Sequence, residues 1–200
     1  MTAFALHLLG PPRLEADGIE VRIGRRKAMA LLAYLAVTGR AHTREALAAL
    51  LWPEWDASGA LAELRRQLSL LRRCLGDAGL EADGDTVQLS PELDLWVDVG
   101  VFRAQLAACA AYGHAPTVAC PDCAPPLESA VALYTDGFLA GFTLEDSAAF
   151  DEWQFFEAEA LKDEAASALV RLATYAASQG GFERAIAYAR RWLAIDPLHE

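Results

Sequence analysis

Two hundred residues, 54% of them hydrophobic and 22% charged, describe an ordered globular chain with room for one large or two small domains, and exclude a disordered or collagen-like one. The net charge of −11 is unevenly spread: residues 1–90 carry 11 Lys/Arg against 11 Asp/Glu, and residues 91–200 carry 6 against 17. The first part can meet phosphate if its cations cluster, whereas the second is repelled by nucleic acid and suits a protein partner or solvent.

In chain order, residues 4–9 and 19–23 read as strands, with Gly10-Pro11-Pro12 and Asp17-Gly18 as turn signals and Arg13-Leu14-Glu15 as a short strand of its own. Residues 25–38 read as a helix with Ala28, Leu31, Leu32 and Leu35 on its buried side, stopped by Gly39. Thr43 is positioned to cap a short helix over 44–51, which Trp52-Pro53 ends. After a loop over 53–59, residues 60–77 form the most informative stretch. Leu61, Leu64, Leu68, Leu71 and Leu75 recur at spacings of three and four, which places them on one stripe facing a core. Arg66, Ser69 and Arg73 fall on the opposite side, with Arg65 and Arg72 on one shoulder. A helix anchored by leucines and offering cations outward has the makeup of a recognition helix in a DNA major groove, and equally of a solvated helix face. Residues 80–83 and 86–89 flank Gly84-Asp85 as a hairpin. Strands, three helices and a hairpin make a winged helix.

The residues LHLLGPPRLEADG, RRKAMALLAYLAVTGRAHTREALAALLWP and LRRQLSLLRRCLGD resemble the Streptomyces antibiotic regulatory protein family of bacterial transcriptional activators. The resemblance continues through LWVDVGVF, LYTDGFLAGF and FDEWQFFEAEAL, in the family's order. It implies a winged helix over 1–95 joined to a helical bacterial transcriptional activation domain over 96–200. It also implies double-stranded DNA with direct promoter repeats as target, a homodimer on those repeats, and RNA polymerase as partner. The chain departs from the family pattern where Leu61, Glu63 and Leu70 replace an Arg, an Asn and an Arg. It departs again at the hairpin tip Asp83-Gly84-Asp85, where an acidic wing, with Glu81 beside it, contributes little to phosphate binding.

Candidate DNA contacts are therefore Arg65, Arg66, Ser69, Arg72 and Arg73, with Arg44 and the dense run Arg25-Arg26-Lys27. That run opens a helix, where positive charge opposes the dipole, so contact with phosphate is one use for it and a solvated helix start the other. In winged helices of the resembled type the loop before the recognition helix faces RNA polymerase. Glu54, Trp55 and Asp56 are the candidate contacts, the alternative being that Trp55 folds back onto the core.

Beyond residue 96, the stretches 97–112, 127–134, 147–179 and 182–195 carry helical spacing, and the long third one is expected to contain a break. The tail GGFERAIAYARRWLAIDP matches the tetratricopeptide pattern, with Gly180 at the turn, Ala185 where paired helices touch and Pro197 as terminator. Because one repeat alone does not stack, the chain reads as cut short at 200. The fold class expected is mainly α with small β-sheets: an N-terminal winged helix-turn-helix followed by an all-α tetratricopeptide-like domain. Trp153, Phe155, Phe156 and Trp192 read as ordinary core.

Cys109, His114, Cys120 and Cys123 form C-x4-H-x5-C-x2-C, a donor set that suits a tetrahedral structural zinc, with a redox pair and unrelated small side chains as alternatives. Cys74 stands apart. No phosphate-binding loop, dinucleotide fingerprint or nucleophile elbow is present and the histidines are scattered, so no enzyme is expected. The longest apolar run, 28–37, is about half of the roughly 20 residues that span a bilayer, and the N-terminus lacks a secretory signal. A cytoplasmic regulator without membrane contact is the expectation. Its rival is a protein-interaction adaptor whose winged helix has lost DNA affinity.

Overall fold

The structure, a computed structural model, describes residues 2–109 and 118–195. The first sheet is built from β1 (Phe4–His7), β2 (Arg13–Ala16) and β3 (Ile19–Val21), joined antiparallel, with Phe4, Leu6 and Leu14 pointing into the core. Asp17 and Gly18, at φ +50° and +79°, make the tight turn between β2 and β3. The winged helix follows. α1 (Arg26–Thr38) begins after an extended Arg25 and ends at Gly39, whose left-handed φ of +61° lets its N–H reach the Leu35 carbonyl. A two-residue strand, β4 (His42–Thr43), leads into α2 (Arg44–Leu51), where the Thr43 hydroxyl accepts from the Ala46 N–H at 3.2 Å. α3 (Ala57–Leu75) starts three residues ahead of the expected position. Asp56, read as loop, caps it by accepting from the Gly59 N–H and the Ser58 hydroxyl. β5 (Leu80–Ala82) and β6 (Thr86–Leu89) form the wing, and β4 completes a sheet in the order β4-β6-β5.

A further strand, β7 (Leu95–Val97), pairs parallel with β1 and gives the first sheet the order β3-β2-β1-β7. Three residues are too short to show the period-two signal by which a strand is read. α4 (Asp98–Ala108), α5 (Ala124–Leu133), α6 (Ala148–Ser178) and α7 (Phe182–Ile195) complete the described chain. α6 runs unbroken for 31 residues, against the expected interruption. Between 148 and 178 there is neither Gly nor Pro, and Ala, Leu and Glu dominate, so nothing in it ends a helix. Gly180, at φ +75°, turns the chain back so that α7 lies along α6, the antiparallel pair expected of a tetratricopeptide unit. Positions 110–112, His114 and Pro197, which figured in the sequence reading, lie outside the described residues.

One buried cluster runs from Phe4 to Ala165, so the core is continuous across residue 95. Phe150 of α6 packs between Trp153 and Phe142, and Trp153 in turn meets Tyr34 of α1 edge-on. Phe155 and Phe156, expected in the core, are instead exposed. Polar ties reinforce the junction. The Asp98 carboxylate, almost wholly buried, accepts from the N–H groups of Leu8 and Leu9 at 2.7 and 2.8 Å, satisfying donors that β1 leaves unpaired. The Ser147 hydroxyl donates to the Leu51 carbonyl at 2.7 Å, closing the end of α2. A smaller cluster of Cys109, Cys123, Ala124, Leu127, Val131, Ala168, Leu169 and Leu172 joins α4, α5 and α6. Among the described residues no helix is long and apolar enough to cross a membrane.

Candidate nucleic-acid interface

The amphipathic pattern of α3 decides which side chains it offers. Leu64, Leu68, Leu71 and Leu75 are buried and Leu61 is half-buried, which turns Arg65, Arg66, Ser69 and Arg73 to solvent and leaves Arg72 half-exposed. Arg25, Arg65, Arg66, Ser69 and Arg73 line one concave surface along the helix. On its other shoulder, Arg65 and Arg72 line a notch between α3 and the wing together with Arg44 and Asp85. Arg65 and Arg72 make no ion pair or hydrogen bond among the described residues. Arg73 reaches only the Ser69 hydroxyl, at 3.5 Å. These three are the cations that α3 leaves free for phosphates or base edges.

Glu63 changes the reading of two others. Its carboxylate is nearly buried, yet it accepts from Arg66 Nη1 at 2.7 Å, Arg25 Nη1 at 3.1 Å and Gln67 Nε2 at 2.7 Å. An acid turned inward on a leucine-striped helix is costly unless paired, and the two guanidiniums supply the pairing. Arg25 and Arg66 therefore reach a phosphate only in competition with Glu63.

The rest of the basic run has partners within the fold. Arg26 donates twice to the Thr143 carbonyl, at 3.1 and 2.7 Å, and lies over the Phe142 ring. Lys27 Nζ pairs with Asp146 at 2.8 Å and sits over Trp52. The first turn of α1 carries no acid of its own, so Asp146 and a backbone carbonyl from across the cleft meet its excess positive charge. Arg44 likewise holds the wing: its Nε donates to the Gly84 carbonyl at 3.0 Å. At the wing tip the Thr86 hydroxyl, with the Thr86 N–H, holds the Asp83 carboxyl below its ordinary value, so the tip stays acidic.

In the loop before α3, Trp55 is 52% exposed and does not fold onto the core. Glu54 beside it is exposed, while Asp56 is occupied as the cap of α3; the Ser58 hydroxyl bond chiefly lowers its pKa. Among the described residues the cysteines form no disulfide. Cys74 sits half-buried on α3, whereas Cys109, Cys120 and Cys123 converge far from it, with Cys120 and Cys123 Sγ 3.4 Å apart. Burial pushes the Cys123 thiol up to about 11, which makes it a poor redox nucleophile. His114 lies outside the described residues. The pairings of Glu63, Lys27 and Arg26 were not legible beforehand, because each joins residues distant in sequence or hidden within a helical stripe.

No family model matches the chain. Among curated proteins it is similar to the transcriptional regulatory protein EmbR of Mycobacterium tuberculosis and of Mycobacterium bovis, 41% identical over 75 residues. That stretch is 37% of this chain and 19% of the relatives, so the match spans about a fifth of their length. Among solved structures, Mycobacterium tuberculosis EmbR in complex with a low-affinity phosphopeptide superposes with a TM-score of 0.63 at 23% identity, covering 98% of this chain and 61% of that one. The likeness bears out the fold expected from the sequence, mainly α with small sheets. The two share an architecture, a winged helix followed by an all-α part.

Proposed function

We propose that this chain is a DNA-binding transcriptional regulator, an activator that sets α3 into the major groove of promoter repeats and recruits RNA polymerase. The observation that carries the reading is the solvent face of α3, where Arg65, Arg72 and Arg73 stand free over a stripe of buried leucines. Such a face gives sequence-independent affinity through phosphates and discrimination through base edges. The exposed Trp55 and Glu54, on the loop before α3, are the proposed polymerase contact, since acids there oppose phosphate and an exposed indole suits a protein partner. Two copies bound side by side on direct repeats would each use this face.

The test is binding to a duplex selected by the protein from a randomised pool, measured over a range of salt. Log affinity should fall linearly with log salt, with a slope of about −3 for three phosphate contacts per chain.

The second reading, an adaptor that has lost DNA affinity, draws on the acidic wing tip and on Glu63, which neutralises two arginines beside the groove face. Failure to select any duplex at low salt, with the fold intact, would favour it.

A further inference from the structure

Cys120 and Cys123 stand at the two ends of the turn that opens α5. The N–H groups of Cys123 and Ala124 both donate to the Cys120 carbonyl at 3.1 Å, which closes the turn. The two sulfurs are 3.4 Å apart. The end Cα atoms of such a turn lie within about 7 Å, and a disulfide spans about 4.4–6.8 Å between its Cα atoms, so the backbone already holds the pair at bridging range. The two thiols differ in access. Cys120 is half-buried beside the exposed Pro121 and Asp122, whereas Cys123 is fully buried in the cluster with Leu127, Leu169 and Leu172. Cys109 adjoins them, its thiol 3.7 Å from the Cys123 carbonyl, but it is nearly buried and shares no turn with either. The zinc expected from the cysteine spacing finds no donor set: among the described residues no three His, Cys, Asp or Glu side chains are grouped so as to hold a metal ion.

We propose that Cys120 and Cys123 are a peroxide-sensitive thiol pair, oxidised reversibly to a disulfide at the start of α5. The Cys120 sulfur, which solvent reaches, attacks one oxygen of hydrogen peroxide; the O–O bond breaks, a sulfenic acid forms and one water leaves. The Cys123 sulfur then attacks the Cys120 sulfur. The S–O bond breaks, the S–S bond forms, and the hydroxyl leaves as a second water with the Cys123 proton. Two thiols thus give up two electrons and two protons, and one peroxide becomes two waters. Burial holds the Cys123 thiol up to about 11, so it ionises seldom; its standing contact with the Cys120 sulfur offsets this, because the reactants are already together. A reductant reaches only the Cys120 sulfur, which makes Cys123 the leaving thiol, and a thiol of high pKa leaves slowly. The pair is therefore slow to reopen once closed.

The experiment treats the full chain, reduced, freed of reductant and kept with a chelator, with equimolar hydrogen peroxide. Free thiols titrated after denaturation should fall from four per chain to two, and the mass should drop by two hydrogens. Dithiothreitol should restore both. Cys74→Ser and Cys109→Ser should each still lose two thiols. Cys120→Ser should lose none, and Cys123→Ser should stop at a sulfenic acid that dimedone traps. Four thiols remaining in the treated wild type would overturn the proposal, as would a gain of oxygen without a cross-link or a disulfide between two chains; none of these readouts depends on a variant. A disulfide closing in Cys120→Ser, or none in Cys109→Ser, would overturn it as well.

Discussion

Lys27 Nζ lies 2.8 Å from Asp146 Oδ2, joining the first turn of α1 to the loop ahead of α6. With Arg26 on the Thr143 carbonyl, it makes the densest basic run of the chain a clamp between the winged helix and the helical half. Asp146 is largely exposed, so the pair is worth no more than about 1 kcal/mol. Lys27→Ala should therefore lower the unfolding midpoint slightly and leave the salt slope of DNA binding unchanged. A slope that falls by about one would instead make Lys27 a phosphate contact.

The arginines of α3 should separate by their partners. Arg65→Ala and Arg73→Ala should each cost roughly 1–3 kcal/mol of specific binding if they read bases. Arg66→Ala should cost less, because its guanidinium is already spent on Glu63. Glu63→Gln then becomes a gain-of-affinity variant: it releases Arg25 and Arg66 and should steepen the salt slope by about one to two. Fluorescence anisotropy at several salt concentrations reads both effects. Unchanged affinity in the Arg65 and Arg73 variants, with intact folding, would remove α3 from the groove.

Trp55→Ala should abolish activation in a reporter strain while leaving DNA affinity as it was. The side chain is exposed and borders Gly59 at the start of α3, so its truncation leaves the core intact. Equal loss of both activities would indicate damage to α3, and full activation would show that the loop is passive.

Stability should depend on His42 in acid. Burial, followed by the charge of Arg40, holds its pKa below the ordinary 6.5. The unfolded chain thus takes up the proton first. The contribution of neutral His42 is complete above about pH 6.5 and is lost as pH falls through that value toward the lower folded pKa. The loss is at most about 1.4 kcal/mol per pH unit. Asp98 acts in the opposite sense: burial raises its pKa, so its contribution is fullest at low pH and declines as pH rises. Urea midpoints of wild type and His42→Gln, compared at about pH 7.5 and about pH 5.5, isolate the histidine; the variant should show the weaker acid dependence.

Short-range rules carried the winged helix. The leucines of α3 recur at helical spacing, Thr43 and Gly39 are typical helix ends, and Gly84-Asp85 marks a hairpin, so each element could be read within its own window of residues. The same rules placed α3's arginines on the solvent side, because a stripe of buried leucines fixes the opposite face. They missed the start of α3, since Asp56, Ser58 and Gly59 are as common in loops as in a capped first turn.

The partners of the charges were decided only in three dimensions. Glu63 sits on the recognition helix and reads there as a repulsive departure, yet packing turns it inward, where it takes up Arg25 and Arg66. Lys27 and Asp146 are separated by 119 positions, Asp98 and Leu8 by 90, and Cys109 and Cys123 by 14. Local periodicity reports which face of an element is buried but carries no information on which distant element covers it. The sequence by itself therefore determined the elements and their exposed faces, while the tertiary structure decided which arginines remain free, because only packing brings a buried acid within reach of a cation.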